Sequence, residues 1–418
     1  MNEVREARGG VLVVGGGFAG AYVAKELGGR GATIVSKENF MLYTPLLPEA
    51  ASGTLEPRHC VVPLRQMCPH ADLILGSVTA VDLEAKTASV VTDDGPQTVG
   101  WSELVLALGA VPRTLPIPGL SDYALSFKTL ADAINLRNHV LQRLEAADAA
   151  LDEQERAQRL TFVFVGAGYA GVEALAELSD LVEDALRYYP RLRSTPRRWV
   201  LVDAATRILP EIPMPLGDYA AAELEKRGIE IHVGTTLASV RGDEAVLGDG
   251  TRIPTTMLVW TAGVAPNPAL REWGLPLDER GHVQVDEFLR VRGHEHVWAL
   301  GDCALVPNTR SDRLDPPTCQ HALRQARRLA KNLTGPPEPY GYRMLGQVAT
   351  LGRHKGIAEV LGLNLHGFLG WWVTRSYHLY QLPLAQRKVR VVVDWTVSLF
   401  FRRDIAELGQ LGHPEKLG

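Results

Sequence analysis

Val11-Leu12-Val13-Val14-Gly15-Gly16-Gly17-Phe18-Ala19-Gly20 is the stretch whose reading decides the fold. Four apolar residues, rich in β-branched valine, read as a buried parallel strand. Gly15, Gly17 and Gly20 then fall at the G-x-G-x-x-G spacing. Gly15 permits a tight turn, Gly17 lets the backbone approach a pyrophosphate, and Gly20 lets the next helix pack on the strand. That helix runs through Ala21 to Leu27, and the free amides at its N-terminus hold an anion without a cationic side chain. Taken alone, an ordinary glycine-rich turn has the same pattern.

The chain repeats it. Thr161-Phe162-Val163-Phe164-Val165-Gly166-Ala167-Gly168-Tyr169-Ala170-Gly171 has the same strand, the same spacing in Gly166, Gly168 and Gly171, and a helical continuation from Val172 to Leu181. Gly15 and Gly166 lie one domain length apart. Two such fingerprints predict an α/β protein with two Rossmann-like lobes, each holding one dinucleotide, with the reactive rings meeting at their interface.

Composition narrows the class. At 418 residues, with 46% hydrophobic and 22% charged residues, the chain is globular, with room for two or three domains. A net charge of −4 does not point to nucleic acid. Cys60, Cys68, Cys303 and Cys319 form no C-x-x-C pair, so neither a disulfide framework nor a metal site is expected, and a reducing compartment fits. Neither a secretory signal nor a spanning helix is expected.

In the first lobe, Thr33-Ile34-Val35 reads as the second strand. Ser36 stands where an acid usually binds the ribose, followed by Lys37 and Glu38. The prolines of Phe40-Met41-Leu42-Tyr43-Thr44-Pro45-Leu46-Leu47-Pro48 predict an extended loop, either lying across a flat ring or packing in the core. Leu104-Val105-Leu106-Ala107-Leu108-Gly109 reads as a buried strand closing the half-domain.

In the second lobe, Glu173 lies just inside the glycine-turn helix, as a charge favoured by the helix dipole or as a functional carboxylate. Asp203 ends the strand Trp199-Val200-Leu201-Val202, the place for ribose recognition, and favours NADH over NADPH, with Arg207 as the one basic neighbour. Met257-Leu258-Val259-Trp260-Thr261-Ala262-Gly263 mirrors the strand ending at Gly109. His296-Val297-Trp298-Ala299-Leu300-Gly301-Asp302 is a further strand, whose Asp302 suits a hydroxylated chain or simply a turn.

This order of motifs resembles the two-dinucleotide flavoprotein superfamily that includes glutathione reductase. Within it, Tyr43-Thr44-Pro45-Leu46-Leu47, Gly171-Val172-Glu173, Arg207-Ile208-Leu209-Pro210, Pro316-Pro317-Thr318-Cys319-Gln320 and Leu351-Gly352-Arg353-His354-Lys355 are similar to type II NADH:quinone oxidoreductases. The resemblance implies that residues 1–125 and 264–335 bind FAD, that 126–263 bind NADH, and that 336–418 form a quinone-side segment. It implies that Gly15, Gly17, Phe18, Ala19, Gly20, Ser36, Lys37, Ala107, Gly109, Gly301 and Asp302 serve FAD, with Pro45 and Leu46 bordering its ring. It assigns Gly166, Gly168, Gly171, Asp203 and Gly263 to NADH, puts Glu173 near the stacked rings, and sets Gln320 and Lys355 where quinone arrives. Cys319 replaces the usual alanine, and Arg324 stands where a second glutamine is common.

The tail is apolar and aromatic around Gly367–Val373 and Val391–Phe401. From Gly370 to Arg403 six basic side chains, Arg375, Arg387, Lys388, Arg390, Arg402 and Arg403, face one acid, Asp394. A peripheral membrane patch on the cytoplasmic face of the cell membrane is the preferred reading, suiting a bilayer quinone such as menaquinone or ubiquinone. A homodimer interface or a core cap is the alternative. The expected activity is hydride transfer from NADH to FAD, then two electrons to quinone, without proton pumping. The rivals are a sulfide:quinone or disulfide reductase, which needs a cysteine pair, and an NADH-responsive flavoprotein scaffold.

Overall fold

Strands that are apolar on both faces need cover on both sides, and the chain builds such a parallel sheet twice. The structure is a computed structural model and describes residues 4–407, so the ends of the expected segments, 1–3 and 408–418, lie outside the described residues. Six helices carry the argument: α1 (Phe18–Leu27), α2 (Leu47–Ala51), α3 (Tyr169–Ala185), α4 (Cys319–Thr334), α5 (Gly367–Gln381) and α6 (Ala385–Phe400).

The chain divides into two units. The first takes residues up to Tyr43, Val61–Val111 and Val264–Met344. The second takes Thr44–Cys60, Pro112–Gly263 and the chain from Leu345 onward. These boundaries differ from the expected ones: 112–125 falls in the second unit, 336–344 in the first, and two larger pieces move. Residues 44–60 join the second unit because α2 buries Leu47, Ala50 and Ala51 and packs on α3. The tail joins it too, rather than standing apart, because its hairpin bonds to α3 through the Thr350 amide and Glu173.

In the first unit a five-stranded parallel sheet runs Val297–Ala299, Glu103–Leu106, Val11–Val14, Ala32–Ser36, Ala71–Leu75. Register pairs Val14 with both Leu106 and Val35, so three strands end level beside Gly15. α1 packs on this sheet, and α4 packs against α1 and the Gly301–Cys303 turn.

The second unit repeats the plan: Ala124–Ser126, Leu258–Trp260, Thr161–Val165, Arg198–Asp203, Ile229–Val233, all parallel. Val163, Val165, Val200, Val202 and Leu258 form its core against a three-stranded antiparallel sheet. The Asp249-Gly250 turn makes the hairpin that links Glu244–Leu247 to Arg252–Pro254.

The tail folds as a three-stranded antiparallel sheet over Gly346–His366, then α5 and α6. Each helix buries a narrow stripe, Gly370, Trp371 and Thr374 on α5, and Val391 and Trp395 on α6. Phe368, Leu369, Trp372, Val392, Val393, Val397, Leu399 and Phe400 stay exposed, so both helices are apolar on two faces.

The extended loop expected at 40–48 is corrected. Phe40–Leu42 is a strand, Thr44–Leu46 a 3-10 turn, and Leu47 opens α2. Pro48 falls in the first turn of that helix, where the missing N–H is not needed.

Candidate functional site

Gly15 and Gly166 hold the same backbone conformation, φ +113° in both. A Cβ at Gly15 would lie 2.2 Å from the Ala107 carbonyl oxygen, and at Gly166 it would lie 2.6 Å from the Thr261 carbonyl carbon. Each turn is pinned to the neighbouring strand, Gly15 N–H donating to Val35 O at 2.9 Å and Gly166 N–H to Val202 O at 2.8 Å. The third glycine is equally constrained: Cβ atoms at Gly20 and Gly171 would meet the Gly15 and Gly166 carbonyl oxygens at 1.9 and 1.8 Å.

The middle glycine behaves differently. Gly17 and Gly168 are the N-caps of α1 and α3, and among the described residues no side chain caps either helix and no atom from outside the turn lies within 4 Å of a Cβ built at either. Each turn thus offers uncapped amides beside open space, which is what a pyrophosphate requires. The residues present fit one dinucleotide in each unit.

The carboxyl ends of the sheets carry the rest. In the first unit Gly301 approaches α1 and α4, its Cβ position 3.2 Å from Ala19 Cβ and 3.8 Å from Ala322 Cβ. So Gly15, Ala19, Gly20, Ala107 and Gly301 converge, with Asp302 in the turn that Gly301 opens. Ser36 is buried against Gly16, whose Cβ would sit 2.5 Å from Ser36 Oγ, while Lys37 is exposed. Gln320 lies in the first turn of α4, accepting from the Tyr342 hydroxyl at 3.4 Å. Arg324 donates to the Gln320 carbonyl at 3.3 Å and lies over the Tyr342 ring.

Behind this face runs a polar chain that sequence reasoning missed. Gly301 N–H donates to Gln325 Oε1 at 2.8 Å, Gln325 Nε2 to Asp315 at 2.8 Å, and Asn308 Nδ2 to Asp315 at 2.7 Å. His321 lies 3.4 Å from Asp315 and 2.7 Å from Thr318 Oγ1. It fixes Gly301 against α4.

In the second unit Asp203 Oδ1 accepts the Ala205 N–H at 2.7 Å and Oδ2 accepts the Ala167 N–H of the glycine turn. Next to it opens a hollow of about 600 Å³ lined by Ile231, His232, Thr235 and Asp249. Arg207 is turned away, donating to the Pro210 carbonyl and, at 2.9 Å, to that of Ile212. Gly263 follows Thr261, whose hydroxyl donates to Gly166 O at 3.0 Å, so it closes the same turn.

Glu173 is buried on α3 and accepts the Thr350 N–H at 2.8 Å. Burial, aided by the charges of Glu177 and Glu49, pushes its carboxyl up to about 8. Lys355 is directed to Glu223 rather than to Glu173, and lines a cleft of about 550 Å³ with Asp180, Glu183, Arg197, Arg227 and Arg353. Pro45 and Leu46 form the turn before α2. Two of the tail's cations are not on the surface: Arg375 lies 3.3 Å from Glu49 and Arg403 lies 2.8 Å from Glu177, with side chains 12% and 5% exposed. The sequence pattern grouped them with the surface cations because proximity in the chain does not report which face of a helix a residue takes.

Burial pushes the Cys60 and Cys68 thiols up to about 12 and those of Cys303 and Cys319 to about 11. All four are free and none is poised as a thiolate, the form disulfide or persulfide chemistry needs.

These two glycine turns on two matching parallel sheets define a two-dinucleotide oxidoreductase, and the chain belongs to the pyridine nucleotide-disulphide oxidoreductase family, whose model matches residues 9–326. Within that family its relatives are type II NADH:quinone oxidoreductases. It is 31% identical over 418 residues to the type II NADH:quinone oxidoreductase NdhA of Mycobacterium tuberculosis, covering 94% of this chain and 87% of that protein. A probable NADH dehydrogenase of Dictyostelium discoideum is 32% identical over 390 residues, 90% of this chain and 85% of its own. The fold matches that of NDH2 from Plasmodium falciparum in complex with NADH, with TM-score 0.90, 17% identity, 97% of this chain and 100% of that one.

Proposed function

We propose that this chain oxidises NADH and reduces a membrane quinone, without proton pumping, while bound to the surface of the cell membrane on its cytoplasmic face. When bound, FAD supplies the two-electron chemistry that links the two substrates. The observation that carries the reading is the pair of uncapped glycine turns, one per unit, in a member of this family.

The chain's own residues bind and orient. Gly17, Phe18 and Ala19 hold the FAD pyrophosphate on the α1 amides, Gly109 and Asp302 take the remainder of that cofactor, and Pro45 and Leu46 border its ring. Gly168 and the α3 amides hold NADH, whose ribose meets Asp203. Glu173 holds a proton near the nicotinamide, and Gln320 and Lys355 orient the quinone or aid its protonation. The exposed apolar faces of α5 and α6, with Arg387, Lys388, Arg390 and Arg402, support seating on anionic lipid. Among the described residues no helix is long and apolar enough to cross a membrane. A homodimer contact through the same faces would compete with lipid.

The test is direct. The purified protein should be yellow, bleach on adding NADH, and recover colour with a menaquinone or ubiquinone analogue. Gln320→Ala and Lys355→Ala should slow the recovery and leave the bleaching. A protein colourless after FAD supplementation, or one whose reduced form no quinone reoxidises, would refute the reading.

A further inference from the structure

Glu173, Glu177, Asp180 and Asp184 follow one another on one face of α3, at spacings of four, three and four. Glu49 reaches the same place from α2, where its charge acts on Glu173. Against these five carboxylates stand four guanidinium groups. Arg375 of α5 lies 3.3 Å from Glu49, and Arg227 donates to Asp180 at 2.7 Å. Arg353 lies 3.7 Å from Asp184. Arg403, from the chain just beyond α6, reaches Glu177 at 2.8 Å, Asp184 at 3.3 Å and Asp180 at 3.9 Å, and donates Nε–H to Thr54 Oγ1 at 2.9 Å.

The neighbours do not change the balance. Arg137, beside Gly53, is matched by Asp404, whose carbonyl it bonds at 2.6 Å. Lys355 is matched by Glu223. His354, on the Trp371 ring, is held below its ordinary range by burial and by Arg353, and is neutral at pH 7. Ser52 and Thr54 contribute hydroxyls, donating to Glu177 at 3.0 and 3.5 Å.

An unpaired buried charge is strongly destabilising, so five acids facing four fixed cations retain one proton. Among the described residues Glu173 makes no ion pair, and burial raises its carboxyl with only the Thr350 N–H, and nothing cationic, to offset the loss of water. Burial also raises Glu49 and Asp180, but each has cations in contact that Glu173 lacks, Arg375 with the Trp395 indole at Glu49, and Arg227 and Arg403 at Asp180. For Glu177 burial is outweighed by Arg403 and Arg375, which hold it below the usual carboxylate range.

We propose that Arg403 is a positioning residue: by keeping Glu177 ionised it confines the cluster's single proton to Glu173, so the seating of the chain beyond α6 sets the protonation of the acid on the dinucleotide-turn helix. The relevance to turnover rests on the reading of Glu173 given above. The charge assignment itself is independent of it.

The experiment uses oxidised holoenzyme without NADH or quinone, with carboxyl-labelled glutamate, and follows the infrared carbonyl band of protonated carboxyl groups against pH. The wild type should show one labelled band, lost as pH rises through about 8, and Glu173→Gln should show none. Glu177→Gln removes an acid, so acids and cations balance and the band should already be missing at pH 7. Arg403→Gln removes a cation, so a second band should appear at pH 7 and survive in the Glu173→Gln/Arg403→Gln double variant. Arg403→Lys should restore the single band. The pH limb of quinone-dependent turnover should move down in Glu177→Gln and up in Arg403→Gln.

A band that persists in Glu173→Gln alone, or a folded, flavin-loaded Arg403→Gln with no second band, would overturn the proposal. If Arg403→Gln does not fold, Glu177→Gln and Arg403→Lys decide, and a wild-type band at pH 7 in Glu177→Gln overturns it. The expected bands in a protein without quinone turnover would sink the functional reading and leave the charge assignment standing. Normal turnover with the same single band in every variant would do the reverse.

Discussion

The indole N–H of Trp395 on α6 donates to Oε2 of Glu49 on α2. The guanidinium of Arg375 lies between the rings of Trp371 and Trp395, 4.3 and 4.7 Å from their centroids, and completes the Glu49 contact. One buried carboxylate therefore fastens both tail helices to the second unit, and their outer faces stay free for another surface. Trp395→Phe keeps the ring and deletes the donor. It should lower stability by about 1–3 kcal/mol, the cost of leaving a buried acceptor short of a partner. Trp395→Leu, which also loses the stacked guanidinium contact, should cost more. Thermal unfolding of the holoenzyme measures both, and a Trp395→Phe midpoint equal to wild type would show that the bond carries no stability.

Glu173 makes a second expectation quantitative. The unfolded chain ionises it near the ordinary value of about 4.3, whereas the folded protein holds the proton up to about 8. Between those values the unfolded state binds fewer protons, so this residue makes stability fall as pH rises, by at most about 1.4 kcal/mol per pH unit. Below that window both states are protonated, and above it both are ionised, so the contribution is flat on either side. Glu173→Gln should remove this slope and be more stable than wild type at pH 8. Denaturant titrations across pH 5–9 test it, and equal slopes in the two proteins would refute the raised value.

Most of the fold was legible in the sequence because Rossmann-like units announce themselves locally. The strand, the turn and the helix of Val11–Leu27 and of Thr161–Ala185 each lie within one short run, and their glycines are forced because an added Cβ would come as close as 1.8 Å to a carbonyl oxygen. The cluster around α3 was not legible. Glu49, Glu177, Arg375 and Arg403 are scattered over the chain, and nothing in the spacing of the arginines distinguishes a buried pair from a lipid-facing one. Sequence reasoning placed all six tail cations on one surface, although Arg375 and Arg403 turn inward. The acid stripe on α3, at i, i+4, i+7 and i+11, was the one available signal, and an all-acidic face within so apolar a helix demands buried cations from elsewhere.

The proposed assignment of Asp203 to the NADH ribose makes a prediction about cofactor choice. The Asp203 carboxylate is held by two backbone amides at the end of its strand, where on that reading the ribose 2′ position would arrive. Arg207 Nη2 is engaged by the Pro210 and Ile212 carbonyls, and its Nη1 is buried. A phosphate beside a fixed carboxylate costs several kcal/mol, so kcat/KM should favour NADH over NADPH by roughly 100-fold or more, in line with about 1.4 kcal/mol per tenfold. Asp203→Ser should narrow that ratio chiefly by weakening NADH. Arg207→Ala should leave the ratio nearly unchanged and lower the unfolding temperature. A larger loss with NADPH than with NADH in Arg207→Ala would show that this arginine does recognise the phosphate.

The outer faces of α5 and α6 supply the last expectation. Trp372, Leu399, Phe400 and Phe401 are 58%, 50%, 80% and 68% exposed, a concentration of large apolar side chains that a surface kept in water does not normally carry. Arg387 and Lys388 are steered by hydrogen bonds to the Arg58 and Tyr380 carbonyls, both at 2.8 Å, with Arg390 nearby and Arg402 exposed. Apolar insertion and attraction to anionic headgroups should therefore contribute separately. Phe400→Ser with Phe401→Ser should weaken binding to anionic vesicles on the order of tenfold or more per phenylalanine, at every ionic strength, from about 1.5–3 kcal/mol for each buried ring. Arg387→Gln with Arg390→Gln should weaken it by about 1 kcal/mol per charge at low salt, with the deficit shrinking as salt screens the surface. Co-sedimentation with vesicles of neutral and anionic lipid, alongside sizing of the protein in solution, separates this from self-association. If the phenylalanine variant sediments like wild type but no longer forms a dimer, these faces meet a second copy of the chain instead of a bilayer.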